Sequence, residues 1–242
     1  MVGLEEAISS VKDGSTIAFG GFQLNRAPIK IVEELIRQKK KNLNVISLPN
    51  PLPLDMLIRE GLVKSAKFSF NGFNLPDQFV ISPHWRKAIE TGEIEWEEVD
   101  AYAIVQGLRA GAMGVPFMPA PQLEKSDHFK FMQAKMIKDP FGNQEIAVVP
   151  TIQPDFAFIH AQIADQKGNV QVFDPQIDLL LAQAAKRVIV TVEEILENPL
   201  INSNLPYYYI KYLVSAPGGA APCSCFPHYD CDWDKLKEYL KV

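Results

Sequence analysis

Short apolar runs alternate with stretches of helical periodicity through most of the 242 residues. Residues 15–19 (STIAF), 43–48 (LNVISL), 66–70, 145–149, 156–161, 170–173, 187–192 and 212–215, together with the more acidic 95–99, are the strand candidates. Most are too short for helices and several are bounded by glycine or proline, as buried strands are. Between them, Ile29, Ile31, Val32, Leu35 and Ile36 recur at helical spacing. Similar patterns span 4–11, 54–58, 83–90, 101–109, 177–185 and 233–242. Strands and helices in alternation predict an α/β fold with an open, largely parallel sheet covered by helices on both faces. The length suits one domain, 1–242, with a sizeable core. Residues 116–143 break the pattern: they are rich in proline and charge and weakly periodic, and read as a loop or small lobe over the sheet edge.

Charge and composition narrow the function classes. A net charge of -5 leaves no footprint for nucleic acid. The dense basic run, Lys39–Lys41 after Arg37, suits the C-terminal turn of a helix, where cations meet the negative end of the dipole. No stretch reaches the roughly 18 apolar residues of a membrane span. The first residues are acidic and amphipathic, unlike a signal peptide, so the expected location is cytoplasmic. Three cysteines fall near the end as Cys223-x-Cys225-x-x-His228-x-x-Cys231. The spacing is not a common zinc pattern, so plain thiols are expected and no metal is assigned.

Candidate site residues gather where strands end in glycine or asparagine. In FGGFQLNRAP, Gly20, Gly21 and Phe22 follow the strand 15–19, and Pro28 opens the next helical pattern. Glycine allows positive φ and close approach by a ligand, and free N–H groups at a turn and helix start favour negative charge. Asn25 is a plausible N-cap, with Arg26 and Ala27 as alternatives. Arg26 can grip a carboxylate through two points, or it is a solvated arginine beside a structural turn. Asn50, and Gly72 with Asn74 in the turn 71–74 (NGFN), also follow strands and are candidates for lining the same cleft. Arg109, near a helix end before Gly111, can hold a phosphate or carboxylate or simply satisfy the helix end. His160 closes an apolar run and reads as a hydrogen-bonded core histidine, and Glu97, Glu98 and Asp100 as a solvated acidic face. No dinucleotide fingerprint, phosphate loop or nucleophile elbow occurs.

Asp13-Gly14, the strand, Gly20-Gly21-Phe22 and Pro28 together resemble the signature of class I CoA-transferases. RAGAMGVPFMPAP (109–121), HAQIADQKGNV (160–170), LAQAAKRVIVTVEEI (181–195) and APGGAAP (216–222) are similar to segments of the A-subunit branch of the glutaconate CoA-transferases. Many members have glycine where this chain has Arg26, although an arginine is familiar in that branch. The resemblance implies an α-type subunit of a heteromer acting on a short dicarboxylic acyl-CoA, with coenzyme A as a substrate and no separate cofactor. It implies a β-type partner in an α2β2 or larger assembly. The nucleophilic glutamate of that family lies in a Ser-Glu-Asn-Gly motif, which this chain lacks, so no catalytic residue is expected here. The turn residues would then supply oxyanion donors and substrate contacts, with Arg26 on the distal carboxylate. The same scaffold serves decarboxylases of the glutaconyl-CoA type and ring-opening hydrolases, so a decarboxylase is the alternative reading. A non-catalytic binding protein is a third.

Overall fold

The computed structural model describes residues 2–241. In chain order it contains α1 (Leu4–Ser9), β1 (Thr16–Phe19), α2 (Ile29–Arg37), β2 (Leu43–Ser47), α3 (Pro51–Arg59) and β3 (Val63–Phe68). There follow β4 (Gly72–Asn74), β5 (Phe79–Ile81), α4 (Pro83–Thr91), β6 (Glu95–Glu98), α5 (Ala101–Met113), β7 (Phe117–Pro119), β8 (Lys135–Lys138) and β9 (Glu145–Pro150). The last elements are β10 (Phe156–Asp165), β11 (Val170–Gln171), α6 (Asp178–Ala184), β12 (Val188–Leu196), β13 (Tyr212–Ser215) and α7 (Trp233–Leu240).

Seven strands form the main sheet in the order β13-β12-β10-β1-β2-β3-β6. Every neighbour along that path is parallel, and the short β11 adds an antiparallel pairing to β10. β10 explains why the apolar runs are unbroken. Phe156 and Phe158 point to one face, where Phe158 meets Phe19 at 6.0 Å, and Ala157, Ile159 and Ala161 point to the other. The first face carries α1 to α4 and α7 over Ile17, Val45, Ala66 and Phe68. The second carries α5, α6 and the lobe over Ala18, Ala157, Val188 and Val190. Buried Asp55 of α3 accepts from Trp85 N and Tyr239 Oη, both at 2.8 Å, tying α3, α4 and α7 together.

The helices start and stop for local reasons. α3 and α4 carry proline in their first turns, where no intrahelical N–H is lost. Asp100 caps α5 by accepting from Tyr102 N at 2.9 Å, and Gly114 ends it at φ 67°. α5 continues to Met113, past the expected end at Arg109. α7 ends at Leu240, and the expected last residue of that helix, Val242, lies outside the described residues.

Three expectations of register change. The run 145–149 does form a strand, but β9 lies between β7 and β8 in a separate antiparallel sheet, because residues 116–143 supply both partners. The run 170–173 shortens to the antiparallel β11. The strand expected at 66–70 begins at Val63 and stops at Phe68, which leaves Phe70 and Asn71 beyond the sheet. No helix among the described residues is long and apolar enough to cross a membrane.

Candidate functional site

Strand order reverses between β1 and β10: the chain winds outward from β1 through β2, β3 and β6, and from β10 through β12 and β13. In open parallel sheets ligands bind beyond the carboxyl ends of the strands at such a switch point. The Gly20-Gly21 turn stands there, and its physics is as expected but its occupant is not. Gly20 N donates to Phe158 O at 2.8 Å, and Gly21 N donates to the carboxylate of Asp178 at 3.0 Å. A Cβ on Gly20 would stand 2.5 Å from Asp178 Oδ1, and Gly21 has φ +74°. The turn thus seats a carboxylate, but one from the start of α6 in the same chain. The two glycines do not offer free N–H groups to a substrate oxyanion.

Arg26 is likewise corrected. Its side chain is fully buried, and every guanidinium nitrogen is engaged within the chain. Nε donates to Asp174 Oδ1 at 2.7 Å, Nη2 to Asp178 Oδ2 at 2.9 Å and to Asp174 O at 2.9 Å, and Nη1 to His160 O at 3.1 Å. Burial opposes its charge, yet Asp178 and Asp174 outweigh that and raise its pKa above the ordinary arginine value. With its donors spent and no solvent-facing surface, Arg26 does not reach a substrate carboxylate. It adopts φ +55°, which is strained for a side-chain-bearing residue. Glycine would fit that backbone without strain. Asn25, half-buried beside it, donates through Nδ2 to Asp174.

A second glycine turn repeats the device. Gly218 N and Gly219 N donate to the two carboxylate oxygens of Glu193 at 2.7 and 3.1 Å, with Gly218 at φ +71°. His160 Nε2 donates to Glu193 at 2.7 Å, and Tyr229 Oη also donates to it. Burial alone would raise the Glu193 pKa, but these donors overcome it and pull it down to about 2. Burial pushes the His160 pKa down against the pull of Glu193, so the ring is neutral, with Nδ1 accepting from the Thr191 hydroxyl at 2.9 Å. The APGGAAP segment is therefore a nest for the chain's own glutamate.

The remaining candidates divide. Asn50 is fully buried at the carboxyl end of β2, and its Nδ2 donates weakly to Phe19 O and Leu48 O at 3.3 and 3.4 Å. Gly72 and Asn74 belong to the β4–β5 hairpin beyond β3, where a Cβ on Gly72 would meet the half-exposed Phe79 ring at 2.5 Å and push it aside. Phe22 is 43% exposed at the same edge. Arg109 lies apart: α5 starts beyond the carboxyl end of β6 and runs back along the sheet, and Arg109, in its far half and exposed, donates to Gln106 Oε1 within the helix. The cysteines and His228 do not converge on one point. Among the described residues, the group with ligand atoms within 4.8 Å of one another is His160, Glu193 and Cys225, and the histidine and glutamate atoms are already bonded. Burial and the nearby Glu193 push the Cys225 thiol up to about 12.

Sequence reasoning missed Asp174, Asp178, Glu193 and Tyr229. Asp174 lies just ahead of the helical pattern 177–185 and Asp178 at its start, and Glu193 lies inside an apolar strand. A buried acid in an otherwise hydrophobic run is the signal that would have found it.

An open parallel sheet with carboxylates locked in glycine turns at its switch point, and an exposed edge of turns beside them, is the frame of an α/β protein that binds its ligand beyond the strand ends. The comparisons with known proteins name the family. The profile described as "Coenzyme A transferase" matches residues 2–216, so the chain belongs to the coenzyme A transferase family. It is 34% identical to the A subunit of 3-oxoadipate CoA-transferase of Pseudomonas knackmussii, over 96% of this chain and 86% of that one. It is 32% identical to the A subunit of glutaconate CoA-transferase of Acidaminococcus fermentans, over 99% and 82%. An uncharacterized protein of Archaeoglobus fulgidus is 36% identical, and there the chain spans 55% of the relative's length. Among solved structures, the glutaconate coenzyme A-transferase of Acidaminococcus fermentans superposes with TM-score 0.89 at 31% identity, covering 100% of this chain and 83% of that one. A variant of the decarboxylase AibA/AibB superposes with TM-score 0.96 at 42% identity, covering 99% and 91%.

Proposed function

We propose that this chain is the α-type subunit of a two-subunit enzyme that transfers coenzyme A between carboxylic acids, with a short dicarboxylic acyl-CoA as donor. The observation that carries this reading is the family match across residues 2–216, with relatives named as the A subunits of 3-oxoadipate and glutaconate CoA-transferases. The site adds a chemical reason for a partner. An attacking carboxylate must be free to reach a thioester carbonyl, whereas Glu193 is held by His160, Tyr229, Gly218 and Gly219, and Asp178 by Arg26 and Gly21. The nucleophile then comes from a β-type subunit. Its glutamate attacks the acyl-CoA carbonyl, forming a mixed anhydride and releasing the CoA thiolate. The thiolate attacks the glutamyl carbonyl, giving a glutamyl-CoA thioester and freeing the first acid. The acceptor acid repeats the two steps in reverse. This chain contributes the binding edge at Phe22, Asn25, Asn50, Gly72 and Asn74.

One observation favours a second reading: the decarboxylase AibA/AibB superposes at TM-score 0.96 with 42% identity. A decarboxylase on this scaffold would release carbon dioxide from a dicarboxylyl-CoA without an acceptor acid. Co-expression with a β-type subunit, followed by assay of glutaconyl- and 3-oxoadipyl-CoA with and without acetate, separates the two. Acceptor-dependent formation of acetyl-CoA is the expected result. Acceptor-independent release of carbon dioxide would establish the decarboxylase instead.

A further inference from the structure

The carboxyl edge of β2 and β3 holds buried polar atoms that the chain does not satisfy. β2 and β3 pair in parallel up to Ser47 and Phe68, and Asn50 and Asn71 each lie three residues further on. The two asparagines therefore follow the exits of neighbouring strands at the same carboxyl edge of the sheet. Asn71 is 5% exposed, and neither its Oδ1 nor its Nδ2 has a hydrogen-bond partner among the described residues. Asn50 Oδ1 is also unpartnered, and its amide orientation is set because Nδ2 faces the carbonyls of Phe19 and Leu48. Ser82, fully buried and joined to Asn71 by its backbone N–H, has an unpartnered hydroxyl. Gln23, whose backbone N–H bonds Pro49 O, has an unpartnered Oε1. Leaving a buried polar group unsatisfied is unfavourable, and four such side chains in the turns after β1, β2, β3 and β5 point to a ligand. Close by in the chain, apolar surface is exposed: Phe70 and Phe79 pack at 5.6 Å while remaining 38% and 52% exposed.

The unmet atoms define the ligand's chemistry. Asn50 and Gln23 present acceptors, so the ligand brings donors. A carboxylate or a thioester carbonyl could accept from Asn71 Nδ2 or the Ser82 hydroxyl but could not satisfy these acceptors. Asn71 presents a donor and an acceptor together, the complement of a secondary amide. We infer that Asn50, Asn71 and Ser82 form a subsite for an aliphatic chain interrupted by amides, which is the pantetheine arm of a coenzyme A thioester. This inference rests on the acyl-CoA reading above and adds which part of the substrate these residues hold. The neighbouring strand exits are about 4.8 Å apart, a reach comparable to the β-alanyl unit between pantetheine's two amides. A peptide is disfavoured because strand addition uses backbone groups along a sheet edge, not paired side-chain carboxamides.

The test titrates pantetheine and, separately, adenosine 3′,5′-bisphosphate into the purified chain, with its partner subunit bound if it co-purifies, by ligand-observed NMR. Asn71→Ala and the near-isosteric Asn71→Asp should each weaken pantetheine binding about tenfold or more. Binding of the bisphosphate should not change, and circular dichroism melting controls for folding of each variant. Pantetheine binding that is absent from the wild-type protein, or unaltered in both variants, overturns the inference. Loss of subunit association with pantetheine binding intact also overturns it, by making Asn71 a contact to the partner. The function reading fails separately: pantetheine binding that depends on Asn71, with no transferase or decarboxylase turnover, sinks the enzyme assignment and leaves the subsite standing.

Discussion

Arg26 illustrates how a residue's partners reverse its apparent role. Its place after a glycine turn suggests a hand extended to a substrate, yet two aspartates from the loop before α6 and its first residue enclose it. Removing one member of a buried ion pair leaves an uncompensated charge and costs about 3–5 kcal/mol. Arg26→Ala should therefore lower the urea midpoint of the chain sharply, and any loss of activity should be equal for dicarboxylic and monocarboxylic acyl-CoA substrates. A loss confined to dicarboxylic substrates at unchanged stability would restore the carboxylate grip. Glu193 supports a prediction about pH. Its folded pKa of about 2 lies below the ordinary value of 4.5, so its stabilisation is complete above pH 4.5 and fades as pH falls toward 2. His160 acts in the same direction from a higher pH. Its folded pKa is lowered from 6.5, so the unfolded chain takes up its proton first and stability declines as pH falls below that value. Glu193→Gln should cost stability at pH 7 and flatten the limb between pH 4.5 and 2, as read from urea midpoints across pH. A mutant curve parallel to wild type through that window would show that the charge of Glu193 contributes nothing.

At the scale of elements, α5 shows how small residues set a helix's distance from its neighbours. Gly107 and Gly111 face the segment between β9 and β10, where Ile152 N donates to Gly107 O at 2.8 Å. A Cβ on Gly107 would stand 2.7 Å from Ile152 Cγ1, and one on Gly111 would collide with the backbone carbonyl of Ile152. A flexible side chain can turn aside and a backbone carbonyl cannot. Gly111→Ala should therefore cost more than Gly107→Ala, at about 1–3 kcal/mol or above. Gly92, at φ +73° with open space around its Cβ position, makes the comparison. Gly92→Ala should cost only the conformational penalty, about 1 kcal/mol. Thermal melting of the three variants checks the order, and equal shifts for Gly92 and Gly111 would mean that α5 is free to move away.

At the scale of the whole molecule, the strand exits expose aromatic side chains such as Phe22, Phe70 and Phe79, while a concavity of about 680 Å³ lies elsewhere, along β9 near Phe117, Met132 and Ile137. A site that must exclude water then needs a second surface, as the proposed β-type partner would provide. Co-expressed with that partner, the chain should elute as a single complex, and alone it should show no acyl-CoA turnover. Obligate interfaces bury roughly 2,000 Å² or more, so elution as separate monomers at micromolar concentration would count against a shared site.

The sequence by itself determined the layered architecture, because burial on both faces dictates unbroken apolar strands and amphipathic cover dictates helical spacing. It also marked the switch-point turn, since positive φ and close approach leave glycine as the residue that fits. The family motifs in FGGFQLNRAP and APGGAAP were legible for the same reason. Only the tertiary structure decided what those turns hold. Asp178 lies 157 residues from Gly21, and Glu193 lies 25 from Gly218. No local pattern shows that either carboxylate returns to a turn so far along the chain. The pairing arises from strand order, which brings β1, β10 and β12 side by side and their exits to one edge. The same holds for Asn50 and Asn71: each is an ordinary turn residue in sequence, and the parallel pairing of β2 and β3 brings the strands they follow to one edge.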